Sequence, residues 1–209
     1  MSLTLDPSEL DAALFDMDGT LLDSSAAVVA SWTLFAQEHG LDTAEVLGSI
    51  HGVRAGDSIA RYLPPERVAA ETQRLIEREL GLLDGIVEIP GAAGVLRALP
   101  DAGIPVAIVT SAPRDLALAR LGAAGIPVPE VVVTAEDVAR GKPAPDGYLE
   151  AARRLGADPA RCVVFEDAEA GIRAGVAAGS RVIVVGAYAG ASTTGLARIA
   201  DYRELRVAP

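Results

Sequence analysis

Ala12-Ala13-Leu14-Phe15-Asp16-Met17-Asp18-Gly19-Thr20-Leu21-Leu22-Asp23-Ser24 begins as a short apolar run, ends that run at a carboxylate and then turns at Asp18-Gly19. It reads as a buried strand followed by a loop, and in open α/β sheets chemistry gathers at the carboxyl ends of strands. Asp16 and Asp18 are two residues apart, so strand alternation points both carboxylates to one side, and Gly19 lets the backbone turn tightly behind them. Like charges in so small a space push their pKa values apart. One acid can then stay ionised as a nucleophile or metal ligand while the other carries a proton.

Outward from this stretch, the runs Ile104 to Val109, Val131 to Val133, Cys162 to Phe165 and Val182 to Val185 are continuous and β-branched. Helical periodicity separates them at Asp115 to Ala124, Asp146 to Leu155 and Ala168 to Ala178. Strands with no polar alternation are buried on both faces, so the pattern predicts an α/β fold, a Rossmann-like parallel sheet with helices on both faces. The stretch from Ser24 to Glu88 breaks the rhythm. It shows helical periodicity over Ala26 to His39 and Pro65 to Gly81, the second with proline at its first turn, and no convincing strand. We therefore expect a core of residues 1–23 and 89–209 and a small helical cap, 24–88, inserted after the first strand. The tail from Ala200 to Pro209 reads as a terminal strand or loop.

Half of the 209 residues are hydrophobic and few are aromatic, enough to bury a real core. The single cysteine, Cys162, lies in an apolar run and reads as a buried, inert thiol in a reducing compartment. Met1 to Leu14 opens without basic residues or a signal-like apolar stretch, and no run approaches about 18 apolar residues. A cytoplasmic protein is the expectation. A formal charge of −11 argues against nucleic acid and anionic membrane surfaces as partners. An anionic small molecule could bind only where a divalent cation and a placed basic group oppose that mean field, and Lys142 is the candidate for the latter. No added interaction segment is visible, so we expect a monomer.

Taken alone, Asp-x-Asp-Gly is as compatible with a plain turn as with chemistry. The complete string Leu14 to Ser24, however, closely resembles the signature of the haloacid dehalogenase superfamily of phosphohydrolases. That resemblance implies three further motifs in fixed order. Val106-Ala107-Ile108-Val109-Thr110-Ser111 looks like the second, whose hydroxyl binds the transferring phosphoryl group, although a strand ending in a hydroxyl turn is the plainer reading. Gly141-Lys142-Pro143-Ala144-Pro145 resembles the third, whose lysine stabilises nucleophile and phosphoryl oxygens, although most lysines are solvated surface residues. Phe165-Glu166-Asp167-Ala168-Glu169-Ala170-Gly171-Ile172 looks like the fourth, an acidic pair that holds magnesium, although Asp167 also suits a helix N-cap.

The resemblance spans Ala13 to about Val185. It implies Asp16 as nucleophile, Asp18 as general acid and base, and Lys142 as the charge-stabilising group, with Gly19, Thr20, Thr110 and Ser111 around the phosphoryl group. It further implies Mg2+ held by Asp16, the backbone carbonyl of Asp18 and Asp167, with Glu166 nearby or acting through water. The cap would close over the site about hinges at Asp23-Ser24-Ser25 and Pro90-Gly91.

Within the superfamily, His51-Gly52-Val53-Arg54-Ala55-Gly56-Asp57-Ser58-Ile59 resembles the cap loop that reads substrate in sugar-phosphate phosphatases and β-phosphoglucomutases. His51 and Arg54 carry donors suited to hydroxyls or a second anionic group, though either could be an exposed loop residue. Local likeness favours phosphatases of the glycerol-3-phosphate and 2-deoxyglucose-6-phosphate type. A β-phosphoglucomutase is the alternative, but the chain departs from that pattern at Thr20 and Val28. Phosphonate hydrolysis would need a cap lysine, and none lies between Ser24 and Pro90. A binding or regulatory protein on the same fold is the alternative from another class. The expectation is a small phosphorylated metabolite hydrolysed through an aspartyl phosphate.

Overall fold

The computed structural model describes residues 3–208. The strands are β1 (Leu3–Leu5), β2 (Ala12–Phe15), β3 (Leu22–Asp23), β4 (Val87–Glu88), β5 (Val106–Val109), β6 (Val131–Val133), β7 (Cys162–Glu166), β8 (Arg181–Val185), β9 (Ala197–Ile199) and β10 (Leu205–Val207). The helices are α1 (Ser25–Glu38), α2 (Thr43–Ser49), α3 (Ala55–Ile59), α4 (Pro65–Leu80), α5 (Ala92–Asp101), α6 (Arg114–Ala123), α7 (Asp146–Leu155) and α8 (Glu169–Ala177). Six strands form a parallel sheet in the order β6-β5-β2-β7-β8-β9.

Every residue of β2 is buried, which is why the strand reads as an unbroken apolar run. Alternation sends Ala13 and Phe15 to one face, where α5 and α6 cover them with Leu96, Leu99, Leu116 and Leu121. Ala12 and Leu14 go to the other, against Tyr148 and Ala151 of α7 and Ile172 and Ala174 of α8. Phe15 stacks on Phe165 of the neighbouring strand, ring centroids 4.6 Å apart. Cys162 is buried as expected; burial first, then the charges of Asp11 and Asp158, push its thiol up to about 11.

From β2 the chain builds β5 and β6 on one side and then crosses to β7, β8 and β9 on the other. Asp16 therefore sits where the winding reverses, between the ends of β5 and β7, and this is where open α/β sheets form their crevice. The C-terminal tail adds a small parallel pair, β1 with β10.

The insert after β2 is helical and carries its own apolar cluster, built on Trp32, Phe35, Val46, Ile50, Ile59 and Leu75. Pro65 opens α4, where a missing N–H costs nothing. The structure corrects the expectation of no strand in this stretch: Val87–Glu88 is a strand, paired antiparallel with Leu22–Asp23, which precedes the stretch, where the chain crosses between core and insert. A two-residue ladder is too short to show alternation in sequence, and it exists only because the two crossings lie side by side.

Candidate active site

The turn after β2 is built around Gly19, whose φ of 82° and close neighbours both demand glycine. A Cβ there would stand 2.1 Å from Asp167 Oδ2. The Gly19 N–H is committed to Leu22 O at 2.7 Å, so the residue contributes room, not a donor. Beneath it, the ammonium of Lys142 contacts Asp16 Oδ1, lies 2.7 Å from Glu166 Oε1 and 3.1 Å from the Val109 carbonyl, and is buried. Lys142 is the only lysine in the sequence.

Glu166 is fully buried and has both oxygens engaged. Oε1 accepts from Lys142 and, at 2.7 Å, from the Tyr148 hydroxyl; Oε2 accepts from the Asp167 N–H at 3.1 Å. The Lys142 ammonium also lies 5.2 Å from the centre of the Tyr148 ring. Gly171 packs so closely on Glu166 that a Cβ would fall 1.6 Å from Oε1. Asp167 accepts from the Thr20 hydroxyl at 3.2 Å, so Thr20 orients this carboxylate.

One carboxylate oxygen each from Asp16, Glu166 and Asp167 lies within 4.8 Å of the others. Burial first, then repulsion from Glu166, raise Asp16 well above the usual carboxylate range against the pull of Lys142. The same two causes push Asp167 up to about 7. Burial alone would lower Lys142, but Asp16 and Glu166 outweigh it and hold the ammonium above the usual lysine value. Three carboxylates facing one ammonium leave two formal negative charges in a buried place, and a divalent cation would cancel them. The hard oxygen donors suit such an ion.

A chamber of about 130 Å³ opens above this floor. Asp16, Asp18, Gly19, Thr110, Ser111 and Asp167 line it from the core, and Trp32, His51 and Glu79 from the insert. Thr110 Oγ1 accepts from the Ala112 N–H at 3.0 Å, which leaves its own proton free to donate. Ser111 donates to the Gly52 carbonyl at 2.9 Å and so ties core to insert. A broader groove of about 980 Å³ adjoins the chamber and shares Gly19, His51 and Asp167 with it.

Arg54 does not reach the chamber. Its Nε donates to Asp57 at 2.8 Å, Nη1 to the Val138 carbonyl at 3.3 Å and Nη2 to the Ala139 carbonyl at 3.1 Å. The expected reader of substrate is thus spent as a strut from the insert to the loop before Lys142, because backbone carbonyls of that loop offer its planar fork a fixed set of acceptors.

Sequence reasoning missed Tyr148, Arg120 and Glu79. Asp18 Oδ1 accepts from Ser24 Oγ at 2.6 Å and from Arg120 Nη1 at 3.0 Å, while Arg120 Nη2 lies 3.1 Å from Glu79 Oε2. Arg120 occupies the buried stripe of α6 with Leu116, Ala117 and Leu121, and Glu79 the buried stripe of α4 with Leu75. A charge at an apolar position of a helix was the available signal. Burial, opposed by Arg120 and reinforced by Asp18, pushes Glu79 up to about 7.

A parallel sheet with acids, a hydroxyl and a lysine converging at its central strand ends, beneath a helical insert, defines a class of hydrolase, and residues 10–179 match the model of that class, "haloacid dehalogenase-like hydrolase". The chain belongs to this family and is a phosphoric monoester hydrolase. It is 50% identical over 179 residues to "Hexitol phosphatase A" of Escherichia coli, covering 84% of this chain and 83% of that one. It is 39% identical to "Glycerol-1-phosphate phosphohydrolase 2" of Saccharomyces cerevisiae, covering 88% and 78%. A solved hydrolase from Pseudomonas syringae superposes with a TM-score of 0.82 at 25% identity, covering 91% and 93%. No helix among the described residues is long and apolar enough to cross a membrane.

Proposed function

We propose that the chain is a magnesium-dependent phosphatase of small sugar or polyol phosphates that works through a phosphorylated Asp16. The observation that carries this reading is Asp16 itself: buried at the end of the central strand, in contact with Lys142, and facing the chamber that Asp18 also lines. The names of the two curated relatives support the substrate class.

Asp16 attacks phosphorus in line with the departing oxygen, and Lys142 and Thr110 offset charge on the phosphoryl oxygens. Asp18 gives its proton to the leaving alkoxide and later takes one from the water that hydrolyses the aspartyl phosphate. Ser24 and Arg120 both engage Oδ1, so Oδ2 is the oxygen that exchanges the proton. Asp16, Asp167 and the Asp18 carbonyl would hold Mg2+, which supplies positive charge to the phosphoryl oxygens and favours ionised Asp16. Glu166, with its oxygens committed to Lys142, Tyr148 and backbone, serves to hold Lys142 and not as a ligand. Residues 24–88 act as a cap that turns about the β3–β4 ribbon and excludes bulk water when shut.

The test is release of phosphate from glycerol 1-phosphate and hexitol phosphates, with Mg2+ and with a chelator. Metal-dependent turnover that falls by about four orders of magnitude in Asp16→Asn is expected. A variant retaining substantial turnover would remove Asp16 from its role. Isomerisation of β-glucose 1-phosphate in place of hydrolysis would identify a mutase, and no chemistry at all a binding protein. Mg2+ is also expected to raise the melting temperature of the wild type and not of Asp167→Asn.

A further inference from the structure

We propose that Glu79 of α4 and Arg120 of α6 are specificity-determining residues that read neutral hydroxyl groups on the leaving group, which makes the site selective for compact polyol phosphates; this rests on the phosphatase reading above.

The chamber's inner wall is otherwise apolar near these two residues, with Val28, Trp32, Ile76, Pro113 and Leu116. Glu79 and Arg120 break that wall beside Asp18, the acid that meets the departing oxygen, so whatever they touch belongs to the first carbons of the leaving group. Both side chains are nearly sealed from solvent, at 7% and 4% exposure. Among the described residues Arg120 Nε and Nη2 have no hydrogen-bond partner, although Nη2 sits within ion-pair range of Glu79. A buried donor left without a partner keeps the full cost of having lost its water. A ligand group set against both side chains from the chamber would recover that cost.

The pair's chemistry selects the group. A hydroxyl donates to the Glu79 carboxylate and accepts from the Arg120 guanidinium, and so satisfies both at once. Once Glu79 is ionised, above its value of about 7, a carboxylate on the leaving group would suit Arg120 and be repelled by Glu79, and an ammonium would suit Glu79 and be repelled by Arg120. The small chamber volume favours short or folded polyols over bulky alcohols. The wall is also assembled from both units, since Glu79 comes from the insert and Arg120 from the core. A seated polyol would thereby bridge them and hold the chamber shut.

The experiment compares kcat/KM, at about pH 9 where Glu79 is ionised, for four esters: glycerol 1-phosphate, propyl phosphate, 3-phosphoglycerate and phosphoethanolamine. A site built to bond hydroxyls should reject the propyl ester by about 100-fold or more in the wild type. Glu79→Ala should cut that ratio by at least about tenfold, and Arg120→Lys should also lower it. Glu79→Gln keeps the shape of the side chain and is read if the alanine variant does not fold. It should raise 3-phosphoglycerate relative to glycerol 1-phosphate by about tenfold, because the repelling charge is gone. A wild type inactive on all four esters would overturn the phosphatase reading. An active wild type whose ratios survive the substitutions, with all four esters slowed alike, would overturn only the assignment of Glu79 and Arg120.

Discussion

Lys142 Nζ and Glu166 Oε1 meet at 2.7 Å in the buried floor of the site, although 24 residues separate them in sequence. Asp16 takes the other side of the same ammonium, so one cation is shared by two carboxylates and all three groups are buried. Removing one member of a buried ionic set is strongly destabilising, because the partners remain charged or must take up protons.

Lys142→Met is accordingly expected to lower stability by about 3–5 kcal/mol and kcat by a factor on the order of 100 to 1,000. Adding Glu166→Gln should restore part of the stability and none of the activity. Lys142→Arg should not rescue turnover, since a planar guanidinium cannot occupy the compact space between Asp16, Glu166 and the Val109 carbonyl. Urea denaturation and steady-state rates on the four proteins check this.

Gly171→Ala should damage the site from behind. The new methyl group would stand 1.6 Å from Glu166 Oε1, against a fully buried side chain with no room to retreat. Overpacking of this kind costs about 1–3 kcal/mol, and the displaced carboxylate should release Lys142. Loss of turnover with little change in KM is the expected kinetic result, and equilibrium unfolding gives the stability term.

Glu79 makes the protein's stability depend on pH between its unfolded value of 4.5 and its folded value of about 7. In that window the folded carboxyl keeps its proton and the unfolded one has lost it, so folding is favoured less and less as pH rises. Arg120 and Asp18 are the charged groups facing it. The wild type should lose stability relative to Glu79→Gln from pH 4.5 to 7, by an amount on the order of 3 kcal/mol. Parallel unfolding curves for the two proteins across that range would show that Glu79 does not titrate there.

Arg54→Ala should loosen the docking of insert on core without changing which esters are preferred. Its three contacts are Asp57 and the Val138 and Ala139 carbonyls, none of them in the chamber. Faster proteolysis of the 24–88 segment, with kcat/KM falling by a similar factor of up to about tenfold for every ester, is the expected pattern. A changed order of substrate preference would return Arg54 to the role of reader.

Five of the six strands of the central sheet and three of the four core helices were legible because each is written in local periodicity; β9, a three-residue edge strand with two exposed residues, and α5 were not. β6 and α7 have the bounds that the residues predict, and α4 starts at the proline that favours its first turn. Asp16, Thr110, Lys142 and Asp167 were picked out by the resemblance of their four motifs, and the wound sheet, whose parallel strands end on the same edge, gives the physical reason that the strand-end residues among them meet. Tyr148 was not, because nothing local distinguishes an aromatic packed for its area from one that donates to Glu166 at 2.7 Å.

By itself the amino-acid order determined the strand ends, the acids and the lone lysine that meet there, and the existence of a helical insert. Only the tertiary structure decided that Arg54 serves as a strut, that Thr20 turns toward Asp167, and that Glu79 and Arg120 meet beside Asp18. The physical reason is range. Strand alternation and helix periodicity act over a few residues, whereas the meeting of an insert helix with a core helix depends on how two distinct apolar clusters dock, and no short stretch of chain encodes that contact.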